Sequence, residues 1–536
     1  MTLRRRARNV ASSKKGELTV LHNEHRRRRI PLVAAVLVAF GAIWMSATVG
    51  GAGAQPVTKA AGTPGFGDMP LAAMIAARKS IPVPKTLPNF KGQTVTVMGD
   101  GGHNMNVFGF WMPEWRKAGI KLKVVEVPFA DVYSKEKAEF IAGSKAVDLV
   151  VFYPAYIGDF ASNGYLLPLD SYIKKSDPHL SDVITAFRKL YLGWGGKTYA
   201  LPEDGDVHIF IYRKDLIGNP VEQKAFKAKY HHALAPPKTW DEYLRVGQFF
   251  TRKAGEKLAG KTLKRPFYGC AEYGQRGFSF AWFVDRWASS GQVYFDRNMK
   301  PQIDSPQAIK ALQNMVTAVK TCSPPDVLNF GYDQLRDSLL KNQSLMVVQW
   351  SDVPKKGADP TQSEVAGKLG YGLLPGAMVN GKLNTRSMMV VGRVLAIPKN
   401  SAHADAAYFM AKYISDDISR FNVSTPLDGL DPYRYSQLKP QYYKEFKAAD
   451  AQAYLATVKG ALEHGYPEIY IPGAAQYEDA LDLAVNKAIS GQQDPAAALH
   501  AAATAWNDIT DKLDKKRQTE LWRNALTQYK SIGLIK

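Results

Sequence analysis

An alternation of short strand-like runs with helical runs, beginning at Gln93, constrains the fold of this chain more than any other feature. β-Branched and apolar residues alternate in the first run, and the last is a continuous apolar run typical of a buried parallel strand. In chain order the pattern predicts a strand at 94–98, a helix at 106–118, a strand at 122–127, a helix at 131–141 and a strand at 148–152. This order predicts an α/β sheet with right-handed crossovers. Beyond residue 403 the pattern is mainly helical.

The N-terminal segment reads as an export signal. Four arginines at 26–29 precede an apolar run at 30–49, and small residues end at Ala54. This arrangement predicts a signal peptide over residues 1–54, cleaved between Ala54 and Gln55. An uncleaved membrane anchor is the alternative, because twenty apolar residues could just span a bilayer. No cysteine follows the apolar run, so we do not expect a lipoprotein.

The charge and the cysteines bear on partners and compartment. The chain of 536 residues has a net charge of +21, and its first tenth holds ten Lys and Arg residues against two Glu. No dense basic run follows, so we expect no nucleic-acid partner. Residues 55–92 are rich in Pro and Gly and read as an N-terminal segment before the globular part. In an oxidising compartment Cys270 and Cys322 would form one disulfide; two buried free thiols are the alternative.

Enzyme motifs were tested and rejected. Residues 255–262 fit the phosphate-loop pattern, but Pro266 follows where that loop needs a helix. Residues 277–281 lack the second glycine of a nucleophile elbow. His231 and His232 have no partner at metal-ligand spacing, so we expect no metal and no cofactor. An exported carbohydrate-active enzyme that uses acidic residues near Asp206 stays open as an alternative, as does a scaffold protein that binds no small molecule.

Three segments, taken in order, resemble the extracellular solute-binding proteins of ABC importers, the carbohydrate-type class that contains the periplasmic maltose-binding protein. They are VDLVVFY at 147–153 with GYLLPLD at 164–170, GKTYALP at 196–202 with IYRKDL at 211–216, and PKTWDEY at 237–243. Together with weaker matches in other short segments, the resemblance covers residues 93–507. It implies a two-lobed periplasmic-binding-protein fold (type II-like), in which each lobe is a sheet flanked by helices and the ligand cleft lies at the hinge.

The same resemblance implies the domain limits and the function. Lobe 1 would comprise 93–204 plus 370–424, and lobe 2 would comprise 205–369 plus 425–536 with a helical tail. The chain would cross between lobes near 203–206, 370 and 424–427. We expect a periplasmic monomer without catalytic activity, which captures a small polar solute, a sugar or polyol, and delivers it to the transmembrane permease subunits of an ABC importer.

The predicted ligand contacts are polar or aromatic side chains at strand ends and in loops: Asp206, Glu203, Tyr153, Tyr156, His103, Asn104, Arg276, Trp350, Asp352 and Arg386. Asp206 is the strongest candidate, because its position in the sequence matches an acidic ligand contact in the maltose-binding class. Asp204 is a weaker candidate. Ala155 and Tyr156 stand where the maltose-binding relative has an acidic and a basic residue, so we do not expect maltose as the ligand.

Overall fold

The computed structural model describes residue 84 and residues 86–101, 103–128, 131–389, 392–424, 430–533 and 535, which all belong to one compact unit. The predicted signal peptide 1–54, its cleavage site at Ala54 and Gln55, and the Pro/Gly-rich segment up to residue 83 lie outside the described residues. Within the described part of the chain, no helix is long and apolar enough to cross a membrane.

Sixteen strands are named here in chain order. They are β1 Gln93–Asp100, β2 Ile120–Val127, β3 Leu149–Phe152, β4 Gly193–Trp194, β5 Lys197–Thr198, β6 Ala200–Asp204, β7 His208–Arg213, β8 Lys257–Leu258, β9 Lys261–Thr262, β10 Met346–Trp350, β11 Leu369–Gly372, β12 Ala377–Val379, β13 Lys382–Asn384, β14 Ser387–Met389, β15 Arg393–Ala396 and β16 Gly465–Pro467.

The α-helices are numbered in the same way. They are α1 His103–Phe110, α2 Met112–Lys117, α3 Val132–Ile141, α4 Ile157–Ser162, α5 Asp170–Lys175, α6 Thr185–Leu190, α7 Lys214–Ile217, α8 Pro220–Tyr230, α9 Trp240–Phe250, α10 Ser279–Ala288, α11 Pro306–Thr321, α12 Tyr332–Leu340, α13 Val353–Ala358, α14 Ala404–Lys412, α15 Ser419–Ser424, α16 Ala448–Glu463, α17 Ala474–Ile489, α18 Pro495–Lys512 and α19 Lys515–Ser531. The predicted helical region after residue 403 is therefore confirmed.

The first lobe is built on a five-stranded sheet with the order β2-β1-β3-β15-β6. The strand β1 pairs in parallel with β2 and with β3, as the alternation of strands and helices predicts. The strand β15 returns from far along the chain and inserts antiparallel between β3 and β6. Because β3 is covered on both sides, all four of its residues are buried, which explains its continuous apolar sequence.

The second lobe contains a three-stranded antiparallel sheet with the order β10-β7-β11. Since β6 lies in the first sheet and β7 in the second, the chain crosses between the lobes at residues 205–207. This change of sheet lies at the crossing predicted near 203–206, and the domain limits that rest on it stay a prediction. The crossing predicted at 424–427 falls largely on residues 425–429, which lie outside the described residues.

The predicted return to the first lobe at Gly370 is wrong. The strand β11 pairs with β7, and Gly370 lies opposite Tyr212 within the second sheet. The chain rejoins the first sheet only at Arg393, after two short hairpin strands and β14. A short glycine-containing strand has the same pattern in either sheet, so hydrophobic spacing does not determine which sheet it joins.

Local sequence signals set several element boundaries in the second lobe. Thr239 caps α9: its hydroxyl accepts from the backbone N–H of Glu242, whose carboxylate accepts from the backbone N–H of Thr239. Residues 255–262, which fit the phosphate-loop pattern, form the β8–β9 hairpin instead of a strand–loop–helix. The sulfur atoms of Cys270 and Cys322 lie at bonding distance, 2.08 Å, inside the core.

Candidate functional site

Polar and aromatic side chains from both lobes meet where several strands end. The C-terminal residues of β1, β6 and β10 are Asp100, Asp204 and Trp350, Tyr153 follows β3 directly, and Arg393 opens β15. All five are buried. Ligands of α/β proteins bind at the carboxyl ends of strands, so this cluster is the candidate site.

Arg393 organises the side of the cluster that belongs to the first lobe. Its guanidinium donates to both carboxylate oxygens of Asp100, at 2.9 and 2.6 Å, and lies 4.0 Å from the ring centroid of Tyr153. In the amide orientation that satisfies both neighbours, Asn104 accepts from Arg393 and donates to Asp204, each at 3.2 Å. A charge pair with two parallel hydrogen bonds fixes geometry as well as charge.

The first crossing meets a later segment of the chain at a glycine. A Cβ on Gly205 would lie 2.6 Å from the carbonyl oxygen of Pro432, so only glycine fits between Asp204 and Asp206. The close approach lets the backbone N–H of Asp431 donate to Asp204 at 2.6 Å. As a result the carboxylates of Asp204, Asp206 and Asp431 offer three oxygens that lie within 4.8 Å of one another.

Aromatic rings form the side of the cluster that belongs to the second lobe. The Trp350 ring lies 5.8 Å from that of Tyr332 and 6.5 Å from that of Phe278, and Phe278 lies 6.1 Å from Tyr153 of the first lobe. The Tyr332 hydroxyl donates to Asp352, which follows β10. The two lobes therefore touch through aromatic rings beside buried carboxyl groups.

Burial sets the electrostatics of the cluster. It raises the pKa of Asp204 to about 6 and that of Asp431 to about 8, partly opposed at both by Lys355. Burial, followed by the charge of Asp204, raises the pKa of Asp206 and of Glu203 well above the ordinary range. An isolated buried carboxylate is costly, so these groups either keep protons or receive positive charge or hydrogen-bond donors from a bound species.

The fold brings together most of the side chains singled out from the sequence. Those in or beside the cluster are Asp206, Glu203, Tyr153, Tyr156, Asn104, Trp350 and Asp352. Tyr156 packs on Tyr153 with ring centroids 5.3 Å apart. His103 is the first residue of α1, and its side chain lies outside the described part of the structure.

Two arginines are placed elsewhere. Arg276 donates to Asp479 and Asp482 of α17, so its guanidinium is held in an ion pair at the protein surface. Arg386 lines a separate cavity of about 500 Å³ with Tyr466 and Lys530. The geometry therefore gives neither arginine the direct ligand contact that the sequence predicts.

Sequence reasoning missed the aromatic rings of Phe278 and Tyr332 and four charged members of the cluster, namely Asp100, Lys355, Arg393 and Asp431. The side chain of Lys355 is buried and donates to the carbonyl oxygens of Val423 and Leu430. A position at the end of a predicted strand would have indicated Asp100. No local signal marks the other three, since their partners are distant in the chain.

Glu136 on α3 provides a test of the buried charge. It is fully buried, and no donor among the described residues reaches either carboxylate oxygen. Burial, followed by the charge of Asp100, raises its pKa well above the ordinary value, and Arg393 opposes the rise. In the unfolded chain the pKa returns to about 4.3. Between these two pKa values the folded state binds more protons, so stability falls as pH rises through that window.

We therefore expect the melting temperature of the unliganded protein to be less dependent on pH in Glu136→Gln than in the wild type between about pH 5 and pH 8. Thermal unfolding followed by circular dichroism at four pH values measures this difference. Glu139→Gln is the control, because Glu139 lies on the same helix and is not fully buried. Equal slopes in wild type and Glu136→Gln would contradict the assignment of a raised pKa to this carboxyl.

Comparison with known proteins identifies the family. The profile of the family described as bacterial extracellular solute-binding protein matches residues 109–418, more than half of the chain. The chain belongs to this family. The solute-binding protein is 26% identical over 396 residues to a Sinorhizobium fredii protein named "Probable amino-acid ABC transporter periplasmic-binding protein", covering 72% of this chain and 82% of the relative. It is 25% identical over 262 residues to a mannitol-binding protein of Pseudomonas aeruginosa, covering 47% of this chain and 52% of that one.

Solved structures confirm the two-lobed α/β fold of this solute-binding protein. An ABC transporter solute-binding protein of Agrobacterium radiobacter, in complex with ribitol, superposes with a TM-score of 0.66 at 24% identity, over 78% of this chain and 100% of that chain. One from Agrobacterium vitis, with bound D-mannitol, gives a TM-score of 0.65 at 22% identity, over 79% and 99%. Similarity at this level of identity establishes the architecture and leaves the ligand to be determined from the site.

Proposed function

We propose that this solute-binding protein captures a small polar solute, a polyol or monosaccharide, in the buried cluster between its lobes and delivers it to the permease subunits of an ABC importer. It acts as a periplasmic monomer after removal of residues 1–54 and catalyses no reaction. Family membership supports the role in capture. The polyol complexes of its structural neighbours agree with this ligand class.

The observation that carries the ligand class is the set of carboxylate oxygens without donors beside aromatic rings. Neither oxygen of Glu203, nor Oδ1 of Asp352, receives a hydrogen bond from the described residues. A polyol presents several hydroxyl donors at once, which suits such acceptors. The rings of Tyr153, Phe278 and Trp350 can cover the apolar faces of the same molecule.

Solute binding is tested by thermal melting against ribitol, D-mannitol, D-glucitol, monosaccharides, maltose and amino acids. At about 100 times its dissociation constant, a ligand adds about 2.7 kcal/mol to the stability of the folded state. We expect a rise of a few degrees with a polyol or monosaccharide. Asp206→Ala should lower the affinity for that ligand by about 30-fold or more, because it removes a buried contact worth about 2 kcal/mol.

Arg386→Ala is the matched control, because its side chain lines a separate cavity, and we expect it to leave affinity unchanged. A shift caused only by amino acids would contradict the proposed ligand class. No shift with any compound, together with no co-purified ligand in native mass spectrometry, would contradict capture itself. Turnover of a chromogenic glycoside, lost in Asp206→Ala, would favour the enzyme alternative instead.

A further inference from the structure

We propose that Asp204, Asp206 and Asp431 bind a divalent cation. The chemistry of the site favours Ca²⁺. The ion site goes beyond the proposed function and does not depend on the identity of the solute. Its ligand set consists of one carboxylate oxygen from each aspartate, and these oxygens lie within 4.8 Å of one another. All three side chains are buried.

The distances suit an ion of the size of Ca²⁺. Calcium binds oxygen ligands at about 2.3–2.6 Å, so two oxygens on one ion can be separated by up to about 5 Å. Magnesium requires ligands at about 2.0–2.1 Å in near-ideal octahedral geometry and gives up its water reluctantly, so a group of protein carboxylates favours Ca²⁺. The set consists of oxygen donors alone, without His or Cys, and such sets select hard cations rather than zinc or copper.

The charges around the cluster leave a deficit of two. Four aspartates, Asp204, Asp206, Asp352 and Asp431, act on one another electrostatically, and two buried lysines, Lys355 and Lys356, oppose them. Arg393 also acts on Asp204, but it is paired with Asp100. The four aspartates and two lysines, fully ionised, therefore carry two negative charges more than positive ones. A divalent cation would balance the group without requiring protons on it.

Unpartnered oxygens point to a missing ligand independently of the cluster's composition. Asp431 has an exposed fraction of 0%, and no described donor reaches either of its carboxylate oxygens. A carboxylate oxygen of Asp206 lies within 4.8 Å of one of Asp431, and two carboxylates this close repel each other unless a proton or a cation lies between them.

The backbone holds the site in place. Gly205 separates two of the ligands and packs against Pro432, the residue after the third. The backbone N–H of Asp431 donates to Oδ1 of Asp204, and the backbone N–H of Gly205 donates to the carbonyl oxygen of Asp431. Such supporting hydrogen bonds orient the ligands of metal sites. Because residues 204–206 and 431 lie in distant segments of the chain, a bound ion would tie these two segments together.

The test is calorimetric titration of CaCl₂, and separately of MgCl₂, into protein stripped with a chelator, without solute. We expect one Ca²⁺ per chain with a dissociation constant between about 10⁻⁶ and 10⁻³ M, and weaker binding of Mg²⁺. Asp431→Asn and Asp204→Asn should each weaken Ca²⁺ binding by about tenfold or more, because each removes a charged ligand. Asp511→Asn, an exposed acid on α18, is the matched control and should bind Ca²⁺ as the wild type does.

Two results would overturn the assignment. One is no heat and no rise in melting temperature with Ca²⁺, Mg²⁺ or Mn²⁺ up to about 10 mM in folded wild-type protein, well above the range of protein calcium sites. The other is unchanged Ca²⁺ binding in both asparagine variants, with circular dichroism confirming that they fold. If the first result comes with a rise in melting temperature in N-methyl-D-glucamine, the carboxylates bind an organic ammonium group instead.

The solute panel distinguishes this inference from the proposed function. A polyol that binds equally well with and without chelator, in protein that binds no Ca²⁺, leaves capture standing and removes the ion site. Calcium binding without any response to the solutes would support the ion site and contradict capture of a solute. If both occur, we expect the ion to raise solute affinity, because hydroxyl oxygens can complete its coordination.

Discussion

Arg393→Ala is expected to lower the free energy of unfolding by about 3–5 kcal/mol, the cost of breaking a buried ion pair from one side. The guanidinium and its partner Asp100 are both buried, with exposed side-chain fractions of 3% and 5%. Removing the arginine leaves the Asp100 carboxylate uncompensated. It also removes the positive charge that opposes the rise in the pKa values of Glu136 and Glu203 caused by burial.

Urea unfolding followed by circular dichroism measures this loss. Arg265→Ala is the matched control, because its ion pair with Glu364 is exposed and spans 3.7 Å, and such pairs are worth about 0–1 kcal/mol. We expect the double variant Asp100→Ala, Arg393→Ala to lose less than the sum of the two single losses, since no unpaired charge remains. A loss below about 1 kcal/mol in Arg393→Ala would contradict the buried-pair interpretation.

Replacing both Cys270 and Cys322 by alanine is expected to cost about 4 kcal/mol. The two residues are 52 positions apart, and a link across that interval restricts the unfolded chain by about this amount in the chain-entropy model. Both cysteines are fully buried in the core of the second lobe, so the bond holds the loop before α10 to the end of α11.

The same urea experiment, run with and without a reductant, distinguishes the stability that the disulfide bond contributes from the stability that packing of the sulfur atoms contributes. We expect the reductant to destabilise the wild type by about 4 kcal/mol and to leave the double alanine variant unaffected. A reductant effect of equal size in both proteins would show that it acts elsewhere. A wild type that is insensitive to reductant after complete unfolding would contradict the presence of the bond.

Many residues of the candidate site were predictable because they lie at places that the strand pattern marks. Tyr153 and Trp350 come at the ends of apolar runs, and Asp206 lies between two such runs. Arg276 and Arg386 were equally plausible from sequence, since both follow short polar or glycine-containing stretches. The structure places both away from the candidate site. Arg276 is paired with Asp479 and Asp482, and Arg386 lines a separate cavity.

Arg393 and Asp431 show why the rest could not be predicted. Arg393 is separated by 293 residues from Asp100, and the side chain of Asp204 meets the backbone of Asp431 across 227 residues. Nothing local distinguishes these two from a surface arginine and a loop aspartate. Their burial and charge environment exist only after the late strand β15 inserts into the first sheet and the segment at Pro432 packs against Gly205.

The sequence by itself determined the class of fold, the capped start of α9 and the family, because these rest on periodicity and on short motifs that act over a few residues. Only the tertiary structure decided which sheet β11 joins and which acids share a buried space. Pairing partners and carboxylate burial depend on contacts between segments hundreds of residues apart, and those contacts leave no periodic signal in the chain.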